Sequence, residues 1–333
     1  MTTESTVLDA PDPLDVKLLQ ALELDGRAPF SKIAAVLGVS DQTVARRYRR
    51  LVSDGSLRIV AVRDHEKLGQ DQWMLRLRCA PSGADAIATA LARRPDTSWI
   101  GLTSGGTEVV CCTRPRTRSD QDELLLAKLP RTPQILDIRA QQMLHRFFGG
   151  PDGWLMKHGP LDEDQIAALR PERPASAARG GAPRRIEPED EPLVAALERD
   201  GRATYPELQR ATGRSESAVK RRLGALLASG VIYVDIEYAN ALIGLHVGAM
   251  LWITTAPWAM DSVGRALASH AEIAHATAVA GPSNLMATAV ARDIPALYAY
   301  LSGKLGRLDG VQHVETAPFM RRVKQLTYRP CPR

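Results

Sequence analysis

The sequence predicts an α+β chain built as a tandem duplication, in which a winged, three-helix helix-turn-helix unit is followed each time by a βαββαβ plait. Three observations predict it. The chain matches itself at a shift of 175, with 16 of 45 positions identical between Asp15/Asp190 and Ile59/Val234. Within each copy, apolar residues recur first at helical spacing across a short capped turn. They then change to the alternation of half-buried strands separated by two helical stretches.

The repeat comes first because it fixes the architecture. Asp25-Gly26-Arg27-Ala28 returns as Asp200-Gly201-Arg202-Ala203, and Gly38, Ser40, Val44, Arg46, Arg47, Leu51 and Gly55 return at the same shift. Further on the shift becomes 176 and the likeness thins, although Ala80-Pro81 and Lys128-Leu129 still match Ala256-Pro257 and Lys304-Leu305. The expected organisation is a flexible start at 1–12, helix-turn-helix units at 13–60 and 189–235, and plaits at 61–148 and 236–328. A linker rich in Pro, Gly, Ala and charge at 149–188, partly ordered around Leu161–Leu169, and a tail at 329–333 complete it.

In the first small unit Leu14, Leu18, Leu19 and Leu22 form one apolar stripe, Phe30, Ile33, Ala34 and Leu37 a second, and Val44, Tyr48 and Leu51 a third. Gly38 closes the second helix, and Ser40 caps the third. With the third stripe turned inward, Gln42, Thr43, Arg46, Arg49 and Arg50 occupy the outer face with Arg47 at its flank. That face suits a DNA major groove, where arginine meets guanine edges and phosphates and glutamine meets adenine. Most charge runs are simply solvated faces; the capped turn and the repeat favour double-stranded DNA as partner. The second copy keeps Ser215, Ser217, Lys220, Arg221 and Arg222 but has Gly224 and Ala225 in place of Arg49 and Arg50. Residues 13–60 hold eight Lys/Arg against five Asp/Glu, whereas 189–235 hold seven against eight. The first unit is therefore expected to dominate DNA binding, with Arg49 and Arg50 mattering more than Lys220 and Arg221.

In the larger unit, strands are expected at Trp73–Cys79, Trp99–Thr103, Val109–Thr113 and Ile135–Met143, with helices after Pro81 and over Ser119–Leu129. This order is the ferredoxin-like plait, an antiparallel sheet with both helices on one face. The open sheet face needs a cover, and the two plaits pair either internally or across chains.

Composition bounds the function. The chain has 333 residues, 44% hydrophobic and 24% charged, with a formal net charge of +5. An ordinary globular composition without a signal peptide or a long apolar run points to the cytoplasm and away from membranes. Cys79, Cys111, Cys112 and Cys331 show neither CxxC nor alternating Cys/His spacing, so reduced, buried thiols are expected and no metal. The seven histidines lack HExxH or HxH spacing, and most of them read as surface or satisfied structural groups. No catalytic residue and no cofactor loop stands out.

The residues Leu14-Asp15, Asp25-Gly26-Arg27, Leu37-Gly38-Val39-Ser40, Arg47, Leu51, Gly55 and Gly105–Glu108 resemble the Lrp/AsnC family of transcriptional regulators, in a duplicated form. The resemblance implies AsnC/RAM-type plaits and a small-molecule effector, an amino acid or related metabolite, bound between them. It also implies a homodimer or higher homo-oligomer. The effector is expected at Thr103, Gly105, Gly106, Thr107 and Glu108 in one copy and at His275, Thr277, Gly281, Ser283 and Asn284 in the other. Both loops depart from the family's Gly-x-x-Asp, and both are also readable as plain hairpins. Two alternatives share the architecture: a siroheme-decarboxylase-like enzyme, whose motif neighbourhood Arg63–Gly69 resembles, and a ligand sensor without DNA binding.

Overall fold

The computed structural model describes residues 10–171 and 184–327. The remainder of the expected linker, Cys331 and the expected tail lie outside the described residues. The first helix-turn-helix comprises α1 (Pro13–Leu24), α2 (Phe30–Leu37) and α3 (Asp41–Ser53), followed by β1 (Leu57–Arg63). Asp12 caps α1 and Ser40 caps α3, each satisfying amides that the helix itself leaves open. After the short α4 (His65–Leu68) comes the first plait: β2 (Trp73–Cys79), α5 (Ala84–Ala92), β3 (Thr97–Thr103), β4 (Glu108–Thr113), α6 (Arg118–Asp122) and β5 (Ile135–Phe148). A π-helical turn over Glu123–Lys128 prolongs α6.

The helix α7 (Glu163–Leu169) lies between the two halves. That half runs α8 (Glu191–Arg199), α9 (Tyr205–Thr212), α10 (Glu216–Ser229), β6 (Ile232–Tyr238), β7 (Val247–Thr255), α11 (Met260–Ser269), β8 (Ile273–Val279), β9 (Leu285–Ala291), α12 (Ile294–Ala299), β10 (Val311–Pro318) and β11 (Arg321–Lys324). The two plaits have sheet orders β5-β2-β4-β3 and β10-β7-β9-β8, the same permutation.

The halves meet about a pseudo-two-fold axis. In the β1/β6 ribbon Val60 faces Asp235, its own counterpart at the 175-residue shift. Arg27 donates to the carbonyls of Gly201 and Ala203 at 2.6 and 3.0 Å, and Arg202 returns the same pair of bonds to Gly26 and Ala28 at 2.7 and 3.0 Å. The plaits exchange strands in the same reciprocal way. The end of β5 leaves its own sheet to pair with β8, and β11 crosses to pair with β3. Pairing is therefore internal, and nine strands join in one sheet. The covered faces bury Met74, Val110, Cys112, Met250, Trp252 and Met286. Arg76 reaches across from β2, donating to Glu108 and, through two nitrogens, to Glu315, with its guanidinium 4.7 Å from the Trp252 ring centre.

Two sequence expectations need correction. The strand expected to stop at Met143 runs to Phe148, because its end serves the other plait. The first part of the expected linker is structural: Leu155, Leu161 and Leu169 are buried in the first helix-turn-helix core, which three short amphipathic helices alone leave open.

Candidate functional site

The outer face of α3 presents Gln42, Arg46 and Arg49 to solvent, and neither arginine has an ion pair among the described residues. Ser40 and Thr43 are tied to the cap, with the Ser40 hydroxyl 3.1 Å from the Thr43 amide and 2.9 Å from its hydroxyl. Arg47 points the other way, donating to Asp12 at 2.7 Å and to Asp15 at 2.8 Å. Arg50, half exposed, also pairs with Asp15. These contacts hold Asp12's carboxyl below its usual range, chiefly through the Arg47 hydrogen bond. Arg47, expected at the flank of the groove face and among the DNA-contacting residues, is thus engaged as a clamp between α3 and α1.

The second copy repeats the clamp. Arg222 and Arg214 both bind the fully buried Asp190, counterpart of Asp15. On the exposed side of α10 stand Ser217, Lys220 and Arg221, with Ser215 as cap; Lys220 is engaged by Glu216 at 2.6 Å. One unpaired cation remains there against two on α3.

The two loops expected to hold an effector are mostly occupied by their own chain. Glu108 accepts from Arg76 at 2.9 Å through one oxygen and from Thr103 and Ser104 at 2.9 and 3.1 Å through the other, leaving no free carboxylate for an ammonium group. Gly105, Gly106 and Thr107 form a turn beside it, Gly105 exposed and the other two half-buried. Asn284 is spent on Thr255, accepting from its amide at 2.9 Å and donating to its carbonyl at 2.8 Å. Thr277 donates to the His145 carbonyl, and the Ser283 carbonyl receives Gln141, whose side chain also packs on Gly281.

His275 is different. It lines a partly open cavity of about 160 Å³ between the two plaits and the β1/β6 ribbon. Four methionines, Met74, Met143, Met250 and Met286, supply apolar wall, and Trp99 and Phe319 add rings. Trp99 holds φ at +52°, a backbone conformation costly for an aromatic residue, at the bulge where β3 passes between β4 and β11. Gly149 (φ +103°) lets the chain pass His275 where a Cβ would sit 2.6 Å from its ring.

Polar groups converge on this cavity. The Arg114 and Arg146 Nε atoms, His65 Nδ1, His275 Nε2 and Glu23 Oε2 are all buried without a hydrogen-bond partner, a concentration contrary to the usual satisfaction of buried polar atoms. Burial pushes Glu23 up to about 8 and Asp235 up to about 7. It pulls His65 down to about 2, helped by Arg114 and Arg63, and His275 down to about 3, helped by Arg146 and Arg114. Burial disfavours the charged form of both rings, and each keeps one ring nitrogen without a hydrogen-bond partner. Opposite walls are counterparts under the repeat: Arg63/Tyr238, His65/Asn240, Met74/Met250, Arg114/Val290 and Arg146/Arg322. Sequence reading singled out only His275 as a site residue here. The Arg63–Gly69 stretch was the remaining signal, and its Arg63 and His65 both line the wall. Among the described residues no group of acids, histidines and cysteines forms a metal cluster, and no helix is long and apolar enough to cross a membrane.

Comparison with known proteins follows the same division. Residues 12–52 match the AsnC-type helix-turn-helix domain, 193–233 a winged helix-turn-helix DNA-binding domain, and 248–328 the Lrp/AsnC ligand binding domain. An uncharacterised HTH-type transcriptional regulator of Pyrococcus furiosus is 27% identical over 126 residues, 37% of this chain and 85% of that protein. The HTH-type transcriptional regulator LrpA of Pyrococcus horikoshii is 27% identical over 140 residues, 42% of this chain and 99% of LrpA. Each such relative spans one half of the duplication. Among solved structures, the siroheme decarboxylase NirDL superposes with a TM-score of 0.62 at 16% identity, covering 95% of this chain and 94% of that one, which establishes a shared two-copy fold. The chain thus carries an AsnC-type helix-turn-helix domain, a second winged helix-turn-helix domain and an Lrp/AsnC ligand binding domain, with the helix-turn-helix and the plait arranged twice along one polypeptide.

Proposed function

We propose that the protein is a sequence-specific DNA-binding transcriptional regulator whose DNA affinity or assembly responds to a small molecule held between its plaits. The observation that carries this reading is the division of labour on α3. Arg47 and Arg50 fasten the helix to α1, while Gln42, Arg46 and Arg49 stand outward without acidic partners. A rigid helix presenting unpaired guanidiniums and an amide has the chemistry of groove readout, and it is held in place before DNA arrives. The reciprocal Arg27 and Arg202 bonds fix the two helix-turn-helix units relative to each other, so one chain presents the paired readers that a two-fold operator needs. Further assembly of chains, in the cytoplasm, belongs to this reading; sedimentation with and without operator DNA measures it. Selection of bound genomic fragments tests the function directly: enrichment of a shared sequence is expected, and recovery of unselected DNA refutes sequence-specific regulation.

A second reading is a decarboxylase acting on a tetrapyrrole, favoured by the cavity itself, where carboxyls that burial makes hard to ionise meet arginines without ion-pair partners. Anaerobic incubation with siroheme followed by mass spectrometry decides it: loss of carbon dioxide supports an enzyme, and unchanged siroheme refutes it.

A further inference from the structure

We propose that the cavity between the plaits and the β1/β6 ribbon is the effector site, and that it takes an organic dianion with an apolar body. The consequence for DNA rests on the regulator reading above; the binding itself does not.

Four guanidiniums line the cavity, and their charges are not equally balanced. Arg63 lies on Glu191 through two nitrogens at 2.8 Å and on Glu198 at 2.7 Å. Arg146 pairs with Asp64 at 3.2 Å and Glu66 at 2.9 Å. Arg114 and Arg322 have no side-chain hydrogen bond or ion pair to any described residue; Arg322 only overlies the rings of Trp99 and Phe319, at 5.9 and 5.5 Å. The carboxyls of the same wall form no ion pair with either of them: burial pushes Glu23 up to about 8, so that it is mostly protonated near neutrality, and Asp235 up to about 7, so that it is only about half ionised. Two uncompensated cations facing a desolvated space are expensive, and two anionic groups on one occupant would offset them.

The rest of the wall defines the body of that occupant. The methionines and Trp99 accept an apolar ring system and adapt to its outline. The orphaned nitrogens of His65 and His275, and a protonated Glu23, add neutral hydrogen-bonding positions. A free amino acid fits poorly, since its ammonium needs an ionised carboxylate and Glu108, the acid expected to supply one, is consumed elsewhere. Divergence of the two copies agrees. Arg63, His65 and Arg114 face Tyr238, Asn240 and Val290 while Arg146 and Arg322 stay alike, so a site that would be symmetric in an assembly of identical halves has three guanidiniums from one copy and one from the other. Such a site orients a single asymmetric ligand.

The test uses the full chain, with thermal shift and calorimetric titration of naphthalene-2,6-dicarboxylate, 2-naphthoate, naphthalene-2,6-dicarboxamide and L-leucine at up to about 10 mM. Stabilisation is expected in the order dicarboxylate above monocarboxylate, with no response to the diamide or the amino acid. Arg114→Met and Arg322→Met should each weaken dicarboxylate binding about tenfold or more, with unliganded melting temperatures at or above wild type, while Arg114→Lys retains binding. No response to the dicarboxylate, an equal response to the diamide, or undiminished binding by both methionine variants overturns the proposal. DNA binding is measured separately by anisotropy, so loss of that activity would refute the regulator reading and leave this one standing, and the reverse.

Discussion

Replacing Arg46 and Arg49 with alanine removes the two cations of α3 that the protein leaves unpaired, and the cost at DNA is calculable. Each phosphate contact adds about 0.9 to the slope of log affinity against log salt, so the double variant should lose about 1.8 from that slope. For a fourfold rise in salt, its affinity should fall about twelvefold less than wild type's. Lys220→Ala/Arg221→Ala removes one free cation and one already bound to Glu216 at 2.6 Å, so a slope loss of about 0.9 is expected, equivalent to about 3.5-fold over the same salt range. Fluorescence anisotropy of a labelled mixed-sequence duplex, titrated at several salt concentrations, reads both. Arg47→Ala is the control: it strips one partner from buried Asp15 and should cost on the order of 1–3 kcal/mol of stability while leaving the slope unchanged. Equal slope losses for the two double variants, or a slope loss for Arg47→Ala at unchanged stability, would refute the assignment of contacting and clamping residues.

Glu23 titrates near 8 when folded and near the ordinary carboxylate value when unfolded, so the folded state binds the extra proton. Stability should therefore fall as pH rises from about 4.5 towards 8, and Glu23→Gln should flatten that decline by roughly 1–3 kcal/mol in urea titrations; an unchanged pH slope would show that the carboxyl ionises freely in place. Arg27→Ala and Arg202→Ala each leave two carbonyls of the opposite half without donors, costing about 1–3 kcal/mol apiece. Differential scanning calorimetry should then show the two helix-turn-helix units separating from the plait transition, and a single unshifted transition would argue against the reciprocal clasp. Leu155→Ala opens a cavity in the first helix-turn-helix core and should cost about 2–5 kcal/mol; a change below about 1 kcal/mol would return the segment to the status of linker.

What the sequence discloses follows from what repeats locally. The helices around Leu18, Ile33 and Val44, the caps at Ser40 and Ser215, and the plait strands all carry their own period or end signal, and the structure places them as expected. The β1/β6 ribbon, the extension of β5 to Phe148 and the crossing of β11 carry no such signal, because each strand's partner lies in the other half of the chain. Arg47 illustrates the same gap at one residue: its position on the helix places it at the flank of a cationic face, and only Asp12 and Asp15 on α1 reveal it as a clamp.

The cavity was hidden for a further physical reason. Apart from His275 and the Arg63–Gly69 stretch, its polar members come from segments as distant as Glu23, Arg114, Asp235 and Arg322 and carry no motif, because a pocket of this kind needs convergence in space and not spacing along the chain. The duplication nonetheless left a trace. Positions that stayed alike across the two copies, such as Met74/Met250 and Arg146/Arg322, keep the chamber's apolar wall and one cation on each side. Positions that differ, such as Arg114/Val290, carry charge on one side only. In an assembly of separate identical subunits every substitution would appear on both sides of the axis at once. Joining two copies in one polypeptide removes that constraint, so the fusion permits the asymmetric charge distribution on which selection of a ligand's orientation depends.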